Sequence, residues 1–370
     1  MLNFPSYEAF LSTHYEKNLW LGRGVLASEY SWSDVNAAMF GWDPTDGRLR
    51  LYKDGVLPVE SYAEVIDDIG LRRVRILKDK LYEKMGNGAT LILNRLDLKC
   101  PKIELLTHKF GQYVGERTVA NGYASFGGKG AFNKHWDTHD VFAVQLIGRK
   151  KWTLYKPTLE LPLPDQKSKN RKDECPATPV LQTELCAGDV IYIPRGWWHV
   201  TESFPGEETF HIAVGVHVSK VVDYAAWVCG QVMPKHLSSR LSIKWDAEGA
   251  NLEEFLTAFA QEILNSENLS AYKEIMADNA KRETPFALER AVAGNDDTLP
   301  ATVLLNSPYR QSLLTGHLIS NGYKVKIDEK SRATLSHFLE GTAMNKFDET
   351  KRQSRLLQDL FKKDIIFTTD

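Results

Sequence analysis

Hydrophobic and polar positions change their period twice along this chain. Up to about residue 218 the apolar residues come in short runs broken by Gly and Pro, the pattern of β-strands and turns. Val141-Phe142-Ala143-Val144-Gln145-Leu146-Ile147 is one such run, and Gly148 after it reads as a turn. Val190-Ile191-Tyr192-Ile193 is a second, closed by the turn residues Pro194-Arg195-Gly196. In the run from Phe210 to Val218, the residues Phe210, Ile212, Val214, Val216 and Val218 fall on one face. His211, Ala213, Gly215 and His217 fall on the other, where the small residues leave room for an interior.

After His217 the alternation stops. Val221, Val222, Tyr224, Ala225, Trp227 and Val228 begin a helical region. Asn251 with Glu254 predicts a capped helix start, and Leu252, Phe255, Leu256, Phe259 and Ile263 follow at helical spacing. Such a face must be buried, either on the chain itself or on a second copy. The stretch from Gly294 through Asp297 to Pro300 predicts a linker. Beyond it Leu313, Leu314, Leu318 and Ile319, then Leu335, Phe338 and Leu339, then Leu356, Leu357, Leu360 and Phe361 predict three short amphipathic helices. Asp364-Ile365-Ile366-Phe367-Thr368 predicts a closing strand. Three parts result: residues 1–218, 219–295 and 300–370.

Composition adds mainly exclusions. With 370 residues and 43% hydrophobic residues the chain can build two or three compact units. A formal net charge of −2 gives no general drive toward nucleic acid. The basic residues Lys167, Lys169, Arg171 and Lys172 are balanced locally by Asp165, Asp173 and Glu174, as in a solvated loop. Cys100, Cys175, Cys186 and Cys229 show neither zinc-finger nor disulfide-framework spacing, which fits reduced thiols. The opening residues lack a basic stretch followed by an apolar core, and no apolar run approaches a bilayer span. A cytoplasmic location is the expectation.

The chemistry is carried by His135-Trp136-Asp137 and by His199 at the end of Gly188-Asp189-Val190-Ile191-Tyr192-Ile193-Pro194-Arg195-Gly196-Trp197-Trp198-His199. Two imidazoles and one carboxylate form the facial triad of mononuclear non-haem Fe(II) sites, which leaves coordination positions open for cosubstrate and O₂. In an extended segment His135 and Asp137 share a face and Trp136 takes the other. A distal segment that reads as turn, buried strand, turn and ligand resembles the cupin and JmjC-type double-stranded β-helix oxygenases.

The chain as a whole resembles the JmjC ribosomal oxygenases, which are Fe(II)- and 2-oxoglutarate-dependent protein hydroxylases. The likeness runs through Tyr15-Glu16-Lys17-Asn18-Leu19-Trp20-Leu21-Gly22-Arg23-Gly24 and Gly88-Ala89-Thr90-Leu91-Ile92-Leu93-Asn94. It continues through Asn121-Gly122-Tyr123-Ala124-Ser125, the His-x-Asp triplet, a hairpin at Gly148-Arg149-Lys150-Lys151-Trp152 and the distal histidine. The resemblance implies that His135, Asp137 and His199 hold the iron and that Lys150 pairs with the far carboxylate of 2-oxoglutarate. Bacterial members often have Arg where this chain has Lys150, and the two cations grip a carboxylate differently. Arg149 and Lys151 alternate away from that pocket. Asn121, Tyr123 and His211 fall at positions near metal and cosubstrate. His139 and His217 read as polar residues outside the site. The implied fold is mixed α and β: a double-stranded β-helix barrel, a helical dimerisation segment and a winged-helix-like C-terminal domain.

The implied activity is that of a dioxygenase hydroxylating an arginine or histidine side chain in a protein, with a ribosomal protein as the expected substrate and a homodimer as the expected assembly. Neither a membrane nor direct nucleic-acid binding is expected. The target residue is not legible. Two alternatives stay open: a hydroxylase of a non-ribosomal peptide or protein, and a metal cupin that uses no 2-oxoglutarate and has no need of Lys150. A non-catalytic docking protein is disfavoured by the complete ligand set.

Overall fold

The computed structural model describes residues 4–27, 30–127, 132–243, 252–286, 303–309, 316–338 and 355–368. The chain divides into two compact units, Met1–His217 and Val218–Asp370. The expected helical and C-terminal segments both fall within the second.

Strands of the first unit are β1 (Trp20–Gly22), β2 (Leu49–Tyr52), β3 (Ala63–Asp68), β4 (Leu71–Ile76), β5 (Thr90–Leu93), β6 (Arg117–Ser125) and β7 (Asp140–Tyr155). They continue as β8 (Leu181–Cys186), β9 (Val190–Ile193), β10 (Trp198–Glu202) and β11 (Thr209–His217). The main sheet runs β1-β9-β7-β11-β6-β5-β2, with β8 and β10 also on β7, while β3 and β4 form a separate hairpin. Every pairing is antiparallel.

The long strand β7 organises the barrel. Residues 141–144 pair with β9 and residues 140–148 with β11, whereas residues 149–154 pair with β8 and 151–155 with β10. The turn expected at Gly148, and the hairpin expected after it, are not there: the strand passes straight through and changes partners. Gly148 permits this because its φ is +65°, and a Cβ there would collide with the Glu208 carbonyl oxygen. The β7–β11 register shifts beside it, between Phe210 and His211, so the strand bends at a bulge without ending.

The alternation along β7, β9 and β11 supplies two apolar faces. Val141, Ala143, Trp152, Leu154, Leu185, Ile191, Ile193 and Trp197 form one buried cluster, against which Ala213 packs. Full burial of each large side chain there stabilises the fold by roughly 1.5–3 kcal/mol. On the other face Phe142 stacks on Phe10 of helix α1 (Tyr7–Thr13), Tyr192 meets Phe10 edge-on, and Phe142 also meets Phe110. Phe110 lies on α4 (Pro101–Val114), the last helix of this unit after α2 (Trp32–Met39) and α3 (Lys78–Gly86). Pro101 opens α4 and Gly115, at φ +72°, closes it.

In the second unit α5 (Val221–Trp227), α6 (Leu252–Leu264) and α7 (Ser266–Asn279) enclose a cluster of Tyr224, Val228, Val232, Met233 and Tyr272, with Phe255, Phe259 and Ile263 packed on it. Leu252 and Leu256, from the same sequence stripe, are more than half exposed. The expected cap Asn251 and the linker over Gly294–Pro300 lie outside the described residues.

The C-terminal part has β12 (Val303–Leu305), β13 (His317–Ser320), β14 (Tyr323–Lys326), α8 (Glu329–Phe338), α9 (Arg355–Lys362) and β15 (Ile366–Thr368). Leu335, Phe338, Leu357 and Leu360 share one core, as their helical spacing predicts, and the closing strand pairs with β12. Leu313, Leu314 and Leu339 lie outside the described residues. Leu318 and Ile319, however, belong to a strand rather than a helix. The reason is Asn321-Gly322: both residues take positive φ, 51° and 85°, and close a two-residue hairpin between β13 and β14. No described helix is long and apolar enough to cross a membrane.

Candidate metal centre

Two chain segments converge where β7 and β9 diverge. The β7–β9 ladder ends at the pair Val141–Ile193, and pairing resumes at an isolated bridge between His135 and His199. Those two residues exchange backbone hydrogen bonds, His135 N to His199 O at 3.1 Å and His199 N to His135 O at 2.8 Å. Gly196 N also donates to Asp137 O at 3.0 Å. In between, the expected alternation holds: Trp136 turns inward against Trp198, with ring centroids 4.5 Å apart, and His135 and Asp137 turn the other way toward His199.

One ligand atom from each of His135, Asp137 and His199 lies within 4.8 Å of the others, and they form the metal-compatible group found among the described residues. His199 Nε2 is 3.7 Å from Asp137 Oδ2. Both imidazoles are oriented from behind. His135 Nδ1 pairs with Asn133 O at 2.8 Å and His199 Nδ1 with Trp197 O at 3.1 Å, so each Nδ1 carries the proton and each Nε2 keeps its lone pair. Burial, then the neighbouring His135, push the His199 imidazolium down to about 4, which keeps the ring neutral at pH 7. Burial raises the Asp137 carboxyl, but His199, His135 and His139 outweigh it and hold the group below the ordinary carboxylate range. Two imidazole nitrogens and one carboxylate are a donor set that suits a divalent transition metal.

Deeper in the barrel, Lys150 is 1% exposed. Its Nζ lies 3.4 Å from His211 Nδ1, and burial alone pushes its ammonium down to about 7. A buried lysine is costly unless an anion pairs with it, and among the described residues no carboxylate lies against Lys150. Trp152, on the same face of β7, lies with its ring 6.1 Å from that of His199 and 5.5 Å from that of His211, and its indole N–H finds no partner among the described residues. Tyr123 stacks on His211 at 4.9 Å, and burial followed by the Asp137 charge keeps its hydroxyl protonated. Burial, then the charge of Lys150, keeps His211 neutral. Asn121 shares the strand face of Tyr123 and spends its Oδ1 on the backbone N–H of Arg95, at 3.0 Å. All seven residues singled out by the sequence therefore belong to one neighbourhood, the triad at one end and Lys150 with His211 at the other.

Residues 101–224 match the family model for the JmjC domain. That segment, about a third of the chain, is similar to the JmjC domain. Among curated proteins, similarity extends to ribosomal oxygenase 1 of Gallus gallus, 28% identical over 212 residues, covering 56% of this chain and 34% of that protein. It also extends to the bifunctional lysine-specific demethylase and histidyl-hydroxylase NO66 of Caenorhabditis briggsae, 35% identical over 114 residues, or 30% of this chain and 14% of that protein. The chain thus spans about a third or less of the length of these relatives. Among solved structures, YcfD, a ribosomal oxygenase from Escherichia coli in complex with cobalt and 2-oxoglutarate, shares the fold. It superposes with a TM-score of 0.59 at 16% identity, over 100% of this chain and 99% of that one.

Several further residues around the triad carry the geometry without having stood out in the sequence. Asp140, Tyr192, Arg195 and Glu16 form a polar cluster beside the ligand segments. Phe132 sits edge-on to His135 at 5.4 Å and reaches Tyr52 at 5.1 Å, forming an aromatic wall beside the triad. The loop between β7 and β8, expected to be simply solvated, is stitched to the site. Gln166 O accepts the Trp136 indole N–H at 3.1 Å, Ser168 Oγ donates to Trp136 O at 3.2 Å, and Thr158 Oγ1 accepts from Trp198 at 3.0 Å. Its cations do remain outside: Arg171 pairs with Glu174 and covers the Trp136 ring. Arg149, pointing away from the pocket as alternation predicts, is held by Glu184 and Glu207. His139 and His217 stack on each other over Gly215. None of the four cysteines is paired in a disulfide.

Proposed function

We propose that this protein is a dioxygenase of the ribosomal oxygenase type, which uses Fe(II), 2-oxoglutarate and O₂ to hydroxylate an arginine or histidine side chain in a protein, with a ribosomal protein as the substrate. The observation that carries the reading is the pairing of the His135, Asp137 and His199 donor set with a buried Lys150 that has no carboxylate partner among the described residues. Bound Fe(II) would supply the oxidising chemistry, in which 2-oxoglutarate and O₂ become succinate and CO₂ as one oxygen atom enters a substrate C–H bond. The chain's own residues position the reactants. His135, Asp137 and His199 hold the metal, and Lys150 neutralises the far carboxylate of the cosubstrate in a low-dielectric pocket. The uncharged His211 and the stacked Tyr123 wall that pocket, and Asn121 borders it. The relatives' names support a protein substrate, and the YcfD complex supports the cosubstrate.

The same reading extends to the second unit. Residues 219–295 would form a dimer interface: Val221, Leu237, Ile243 and Leu264 on these segments are each more than 60% exposed, an unusual cost for a lone copy. Residues 300–370 would form a winged-helix-like domain, with the β13–β14 hairpin as its wing. Sedimentation equilibrium should give twice the chain mass of 41.9 kDa; a monomer at micromolar concentration would refute the interface. A cytoplasmic location is part of the proposal.

The activity is tested by incubating the protein with ribosomes and cell extract in the presence of Fe(II), 2-oxoglutarate and O₂, followed by peptide mass spectrometry. One added oxygen on a single peptide, absent with His199→Ala, is the expected result. Succinate formation with modification confined to non-ribosomal proteins would correct the substrate. Activity that survives Lys150→Ala and ignores 2-oxoglutarate would replace the reading with that of a metal cupin.

A further inference from the structure

We infer that Asp140 and Arg195 are positioning residues for the metal, setting the distance between the segment that bears His135 and Asp137 and the segment that bears His199, with Glu16 locking them from the N-terminal arm. The inference starts from the gap in the strand ladder. His135 faces His199 and Val141 faces Ile193, so residues 136–140 on one side and 194–198 on the other form equal, opposed stretches. A regular ladder across this gap would hold the segments at ordinary strand spacing, and Pro194 prevents it by lacking an N–H.

The bond that replaces the ladder comes from a side chain. Asp140, fully buried, accepts the Arg195 backbone N–H on Oδ1 at 2.9 Å and the Tyr192 hydroxyl on Oδ2 at 2.7 Å. The Arg195 guanidinium, 6% exposed, turns back onto the same carboxylate at 3.3 Å and reaches Glu16 Oε1 at 2.5 Å. Glu16 is fastened in turn, since its backbone N–H donates to the Tyr192 hydroxyl at 3.0 Å. One carboxylate therefore joins a residue just beyond Asp137 to a residue just before His199. With Gly196 N on Asp137 O and the Trp136–Trp198 ring contact, it connects the two segments across the gap between the ladder end and the histidine bridge.

The cluster is built to stay assembled. Burial raises the Asp140 carboxyl above the ordinary range, and the Arg195 N–H, the Tyr192 hydroxyl and the Arg195 charge offset part of that rise. Nearby Glu116 is pushed up to about 8 by burial, then by Glu16 and Asp140. Removing one partner of such a buried ion pair leaves the other uncompensated and forces the backbone to move. Here that backbone carries the ligands.

This inference rests on the reading of the triad as a metal site, so Co(II) binding by the wild-type chain and its loss in His199→Ala are measured in parallel. The test is Co(II) titration of the full chain, with Kd and the visible ligand-field bands read well below the thermal midpoint of each variant. Asp140→Asn is expected to weaken Co(II) binding about 10- to 100-fold and to shift the bands, as loss of an orienting group behind metal ligands does. Glu16→Gln, at a partly exposed site remote from the ligands, is the companion in case Asp140→Asn does not fold. It should weaken binding several-fold with a smaller shift in the same direction. A folded Asp140→Asn whose Kd and spectrum match wild type, whatever its melting temperature, would reduce the cluster to fold stability alone. So would an unchanged Glu16→Gln should Asp140→Asn not fold.

Discussion

Replacing His199 with alanine is expected to remove divalent-metal binding at micromolar concentration and, with it, all turnover. The ring has no substitute. It is 6% exposed, its Nδ1 is committed to the Trp197 carbonyl, and among the described residues the remaining donors at this centre are His135 and Asp137. Loss of a group that merely orients a ligand costs about 10- to 100-fold in affinity, so loss of a ligand should exceed that range. The variant should nevertheless fold. Burial already holds His199 neutral, and its backbone bridge to His135 survives the substitution. Isothermal titration with Co(II) and a thermal melt separate the two effects: no heat of binding with a cooperative melt is the expected outcome. Micromolar binding by the variant would remove His199 from the ligand set.

How that ligand set could be read from the sequence, and what could not, follows from range. His135 and Asp137 are two residues apart, so strand alternation alone places them on one face, and the turn before His199 is written in Pro194 and Gly196. The Lys150 position followed from family resemblance together with the alternation that sends Arg149 and Lys151 outward. The Asp140–Arg195 bond spans a long stretch of chain, and nothing local marks Asp140 as different from any acid at the start of a strand. The same applies to Glu16, which reaches Arg195 from the far N-terminus.

The errors have local causes. Gly148 is a turn residue by type, but its positive φ serves a bulge in a strand whose second half pairs elsewhere. Leu318 and Ile319 were drawn into a helix by the leucines before them, although Asn321-Gly322 carried the stronger hairpin signal. The loop from Lys156 to Val180 looked solvated because its charges are; its attachment to Trp136 and Trp198 runs through backbone carbonyls and small hydroxyls, which composition does not register.

Lys150 allows the sharpest test of the cosubstrate pocket, through both a substitution and a pH profile. Lys150→Ala should raise the Kd for 2-oxoglutarate by at least about 100-fold, the scale on which a buried charge deprived of its partner is penalised. The pH dependence follows from the lowered ammonium. Without an anion, Lys150 titrates at about 7, well below the 10.5 of a free lysine. Between those values the folded protein holds one proton fewer than the unfolded chain, so the cost of burying the charge, fully present below pH 7, is relieved as pH rises. Binding a dicarboxylate reverses this, because the anion is paired only by the protonated amine. Above pH 7 each binding event must therefore take up a proton, and the Kd for 2-oxoglutarate on the Co(II)-loaded protein should rise about tenfold per pH unit. Near pH 6 the amine is already charged and the dependence should flatten, while His211, held neutral by burial and by Lys150, contributes nothing in this range. Calorimetry in buffers of different ionisation enthalpy counts the proton directly. One proton taken up at pH 8 and fewer at pH 6 is the expected pattern; a Kd constant from pH 6 to 8.5 would mean that Lys150 is charged before the anion arrives.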